Sequence, residues 1–156
     1  MAYPIESVGG LGPVLADRLR EAGIATTDEF LARAGAAAGR GALAAATGID
    51  EGVLLRWARR CDLFRVHGVG RPMADLLEAA GIATVAGLAA AAPEPLALRL
   101  AALNQDGAFC PVTPGERMVR DWIARAAGLR LVLDDRGTPR GAPMRRGPKW
   151  KPAAKD

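Results

Sequence analysis

The chain repeats itself. Residues 8–30 read VGGLGPVLADRLREAGIATTDEF and residues 66–88 read VHGVGRPMADLLEAAGIATVAGL. The two stretches superimpose without a gap at an offset of 58: Gly10 meets Gly68, Gly12 meets Gly70, and the Gly-Ile-Ala-Thr of 23–26 meets that of 81–84. A period of this length is the mark of one supersecondary unit used twice, and it limits the chain to folds that can hold two such units.

Each copy carries its own punctuation. Pro13 and Pro72 suit the first turn of a helix, where a missing N–H costs nothing. Leu15, Leu19 and Ala22 then share one face, as do Leu76, Leu77 and Ala80, while charged residues take the other. Gly23 and Gly81 stop these helices with a left-handed residue. Thr26 and Glu29 make a T-x-x-E capping box for a second, shorter helix, and Thr84 caps its counterpart. Further helices are expected over about 40–47, from Asp50 through the stripe of Val53, Trp57 and Cys61, over 95–103, and over about 114–127. The last opens at Thr113-Pro114 and carries a stripe of Met118, Trp122 and Ala126. Residues 129–134, LRLVLD, read as a short strand or an extended arm.

Composition agrees with helix. Half of the 156 residues are apolar, much of that alanine, and aromatics make up 4%. Alanine and leucine at this density favour helix over strand. The net charge of +4 is unevenly spread. Residues 136–156 hold seven basic side chains against one acidic, whereas residues 1–135 hold fourteen basic and sixteen acidic. With almost nothing apolar to bury, the segment after Asp135 is expected to be a disordered basic tail. Residues 1–135 are expected to form one compact helical domain, with repeats at about 5–35 and 63–93.

Several function classes lose support. Two cysteines and one histidine give neither a disulfide framework nor zinc-ligand spacing. Ser7 is the single serine, and nothing places it with His67 in a nucleophilic arrangement. Cys61 falls on the Trp57 stripe, and Cys110 falls in a loop where it could be exposed, without basic neighbours to activate it. No convergent acid, base and nucleophile set appears, so no enzyme, cofactor or metal is expected. No membrane span or signal peptide is read, and a cytoplasmic setting is expected.

The glycine pairs remain. Gly10-Leu11-Gly12 and Gly68-Val69-Gly70 each precede a helix N-terminus. Glycine there permits positive φ and a tight reversal, so Gly12 and Gly70 are both expected in turns that a β-branched side chain would strain. Exposed amides at a helix start suit a phosphate. A dinucleotide loop is excluded because Leu15 and Met73 stand where its third glycine belongs.

The two copies, VGGLGPVLADRL and VHGVGRPMADLL, resemble the helix-hairpin-helix, whose hairpin is an apolar residue, any residue, glycine, apolar residue, glycine. More narrowly, IESVGGLGPVLADRLREAGIATTDEFL, LAAATGIDEGVLLRWARRCDLFRVHGVG and VRDWIARA resemble the DUF4332 family of prokaryotic proteins, over roughly residues 3–133. The resemblance implies an all-α fold of two helix-hairpin-helix units related by pseudo-symmetry. It implies sequence-independent DNA binding through hairpin amides, or else an adaptor for a protein partner in which the hairpins are only corners.

The two copies differ in charge. Copy two has Arg65, His67 and Arg71 around Gly68, Val69 and Gly70, and copy one has Glu6, Ser7 and Pro13 around Gly10 and Gly12. Phosphate is bound chiefly by arginine and lysine, so copy two is the better expected site. Trp150 between Lys149 and Lys151 suits base stacking or a partner groove.

Overall fold

The computed structural model describes residues 3–9 and 11–134. The expectations for Gly10, for Lys149, Trp150 and Lys151, and for a disordered tail over 136–156 lie outside the described residues.

The described residues are helical, with no strand among them. The order is a 3-10 turn, Ile5–Val8, then α1 (Gly12–Glu21), α2 (Thr27–Ala34), α3 (Ala37–Thr47), α4 (Glu51–Leu63), α5 (Arg71–Ala79), α6 (Val85–Ala89), α7 (Pro93–Leu103), a second 3-10 turn, Gln105–Gly107, and α8 (Glu116–Ala127). They group into two compact units. One runs from Asp62 to Leu131, and the other takes the described residues of 3–61 together with Val132 to Asp134.

In the unit built on residues 3–61, Ile5, Leu19, Ile24, Phe30, Leu43, Leu54 and Trp57 form one buried cluster. Phe30 and Trp57 meet edge to face with ring centres 6.3 Å apart. The capping box is complete: Thr26 Oγ1 accepts from Glu29 N, and Glu29 Oε1 accepts from Thr26 N. The N-terminal segment pairs briefly with the loop before α2, Ile5 N donating to Ala25 O and Thr27 N to Tyr3 O.

This unit is finished by residues far along the chain. Residues 129–134 form no strand; of the expected arm, residues 132–134 belong to this unit. Asp134 N donates to Gly35 O at 2.7 Å, and Leu133 packs on the cluster. Arg40, expected as the start of an alanine helix, lies inside α3 and is buried. Its guanidinium donates to Ala34 O and Gly35 O at 2.9 and 3.1 Å and to Asp134 O at 2.6 Å. Gly35 makes room: a Cβ there would sit 2.6 Å from Val132 O.

In the unit built on residues 62–131, α6 and α7 pack on α8, and α5 on α7. Trp122, Phe64, Leu76, Leu77, Leu88 and Leu100 are buried in it. In α8 the expected Trp122 and Ala126 are buried, and Val119 is buried in place of Met118, which is exposed. Cys110 is buried rather than exposed, its Sγ 3.5 Å from Met73 Sδ. Burial, with a smaller push from Asp75, raises the Cys110 thiol above its ordinary value.

Local structure repeats where sequence repeats. Gly23 and Gly81 have φ of 93° and 92°. Ile24 N reaches back to Leu19 O at 2.9 Å, as Ile82 N does to Leu77 O. One substitution of means is instructive. Thr27 N finds a backbone acceptor, Tyr3 O. At the matching position Val85 N finds the buried carboxylate of Asp62 at 2.8 Å, because the carbonyls near Asp62 belong to the end of α4.

Candidate nucleic-acid interface

The loop of copy two runs from the end of α4 to the start of α5. Val66 and Val69 are fully buried and pin it from beneath, with Val69 N donating to Val66 O at 3.0 Å. Between these pins Gly68 turns at φ 95°, and His67 and Gly68 are left exposed. Gly70 is the N-cap of α5 with φ −98° and ψ −165°, and no side chain caps it. Of the two reasons for glycine expected at Gly70, positive φ or close approach, the first is corrected: Gly70 is extended, and Gly68 carries the positive φ. The first amides of α5 have no intrahelical acceptor, and Pro72 removes one of them.

Copy one follows a different path. Gly9 turns at φ 89° and Gly12 at φ 77°, and Leu11 between them is buried. Copy one can turn at Gly9, where copy two has His67, and a side chain there resists positive φ. So the reversal starts one position earlier. Glu6 in this loop forms an ion pair with Arg20, whose hydrogen bond holds the Glu6 carboxyl below its usual range. Copy one thus presents a carboxylate beside its glycines.

The cations expected at copy two divide in use. Arg71 is exposed and makes no hydrogen bond or ion pair among the described residues. Arg65 is occupied. It donates to Asp62 Oδ1 at 2.7 Å with its side chain 14% exposed, and also to Arg130 O. Its work is to neutralise the buried Asp62 that holds the start of α6.

Arg125 joins the loop from α8. Its Nη1 donates to His67 O at 3.0 Å, and a Cβ on Gly68 would lie 3.8 Å from Nη1 and 3.2 Å from Trp122 Nε1. Copy one has the same device: Arg60 Nη1 donates to Val8 O at 3.2 Å. Each arginine stands three residues after a buried tryptophan, Trp57 or Trp122, in the fourth helix of its unit. The W-x-x-R pairs are 65 apart, so an offset of 58 misses them. Arg125 is exposed, and it brings a second guanidinium to the Gly68 loop.

The assembled surface is an exposed glycine loop, uncapped helix amides, an imidazole and the guanidinium groups of Arg71 and Arg125. It can accept an anion by charge and by N–H donation. It holds no arrangement of nucleophile and base. No helix among the described residues is long and apolar enough to cross a membrane. No curated protein and no solved structure matches the chain. The model of a family described as a domain of unknown function, DUF4332, matches residues 9–129, and the chain belongs to that family.

Proposed function

We propose that the protein is a non-catalytic nucleic-acid-binding module built on two helix-hairpin-helix units that repeat one plan. The Gly68 loop makes the main phosphate contact. Its ligand is the sugar-phosphate backbone of DNA, taken without regard to sequence, since the loop offers backbone amides and guanidinium groups and no array of side chains aimed at base edges. The observation that carries this reading is the place of Arg125: a helix distant in sequence delivers a second cation to the loop that already holds Arg71 and His67. Copy one, with Glu6 beside its glycines, is a structural corner.

The test is a titration of the full chain against duplex, single-stranded and structured nucleic acid at several salt concentrations. Binding should weaken linearly in log–log form as salt rises. Arg71→Ala should reduce the slope by about one and weaken binding several-fold at unchanged stability. Absence of binding at low salt would leave the adaptor reading in its place.

A further inference from the structure

Trp122 carries a polar atom that the fold leaves unused. The side chain anchors α8 in the core of its unit and is 1% exposed. An indole N–H is a donor only, and a buried tryptophan ordinarily finds an acceptor for it. Trp122 Nε1 has no hydrogen-bond acceptor among the described residues, yet it is not sealed from solvent. A donor left open on an otherwise buried ring calls for an explanation.

The ring edge that bears this N–H faces the Gly68 loop. A Cβ on Gly68 would lie 3.2 Å from Nε1 and 3.9 Å from Cδ1. Gly68 needs to be glycine for its φ of 95°, and the same missing side chain leaves Nε1 uncovered. The loop is rich in other open donors. Gly68 N and Gly70 N have no acceptor among the described residues. Arg125, three residues after Trp122, is tethered to His67 O at 3.0 Å, with Nη1 3.8 Å from the same Cβ position. An oxygen seated against Gly68 can therefore meet the indole N–H with a guanidinium beside it. Donors without acceptors, next to a cation, suit an anionic oxygen.

We infer that Trp122 Nε1–H is a ligand contact, donating to a non-bridging oxygen of the phosphate that the Gly68 loop holds. This rests on the reading of that loop as a phosphate site. It adds a fixed, neutral donor to the cations, so part of the affinity is independent of salt. The test follows the indole N–H signals of the isotope-labelled full chain by NMR. Phe variants of Trp57, Trp122 and Trp150, taken singly, identify the three signals. Short duplex DNA is titrated in one arm and inorganic phosphate in the other, each against sodium chloride of equal ionic strength. The Trp122 signal should move downfield and saturate, while that of Trp57 stays. Movement with phosphate but not with duplex would uphold the contact and overturn the nucleic-acid reading. Duplex that binds without moving the Trp122 signal would overturn the contact and leave that reading standing. No movement with either ligand would overturn the contact as well. Trp122→Phe keeps an aromatic ring and removes the N–H. It should bind duplex about three- to tenfold more weakly with an unchanged salt slope, because no cation is lost. Undiminished binding, or a slope reduced as in Arg71→Ala, would contradict the contact. If this variant does not fold, the wild-type titration decides alone.

Discussion

Gly68 and Gly70 look interchangeable in the sequence and do different work. Gly68 sits at φ 95° with Trp122 Nε1 3.2 Å from where a Cβ would be, while Gly70 sits at φ −98° as an uncapped N-cap. Gly68→Ala should therefore cost about 1–3 kcal/mol in chemical denaturation. Gly70→Ser should be neutral or slightly stabilising, because serine accepts that backbone and can cap α5. Equal losses at the two positions would show that the reversal is not at Gly68. The cysteines give a second check at this scale. Cys61 and Cys110 are both buried, and the Cys110 thiol is raised, so its reactive thiolate is scarce at neutral pH. A thiol-specific reagent should label the native protein far more slowly than the unfolded chain, with labelling of Cys110 tracking unfolding. Fast stoichiometric labelling of Cys110 in the folded state would contradict its placement.

At the scale of elements, the arm is the feature most exposed to test. Removing residues 136–156 takes away little that is apolar, and the melting temperature should stay nearly unchanged. Removing residues 132–156 should cost more, about 2–4 kcal/mol. It strips Leu133 from the core and leaves the buried Arg40 guanidinium without its Asp134 acceptor. The same loss from both truncations would show that residues 132–134 do not complete the unit. Elements written in local chemistry were legible in advance: the Gly23 and Gly81 stops, the Thr26–Glu29 box and the start of α5 at Arg71-Pro72 all read directly from residue type. What escaped depended on distance. The matching of α4 to α8 is hidden because the 104–115 loop, nine residues longer than the link from α3 to α4, takes the offset from 56 to 65. The burial of Arg40 and Asp62 is invisible locally, since charged residues are ordinarily placed outside and partners such as Asp134, Val85 and Arg65 permit otherwise. The candidate site was legible at Gly68 and Arg71. Arg125 was not, because its place is set by the contact of α8 with the loop, and the pairing of Arg65 escaped because its partner Asp62 is itself buried.

For the molecule as a whole, the proposed function makes charge, more than backbone, decide binding. Both glycine loops precede uncapped helices, so if amides alone held phosphate the two would be near equals. The proposed binding falls instead to the loop with cations. The most direct measurement is the salt dependence of DNA binding by the wild type, by Arg71→Ala, and by Glu6→Ala with Pro13→Ala. The wild type should show a negative log–log slope, and Arg71→Ala should reduce it by about one while weakening binding several-fold. The copy-one pair should leave binding unchanged or slightly stronger, since it removes a carboxylate and no cation. Equal effects from the two loops, or no binding by the wild type at low salt, would contradict the account.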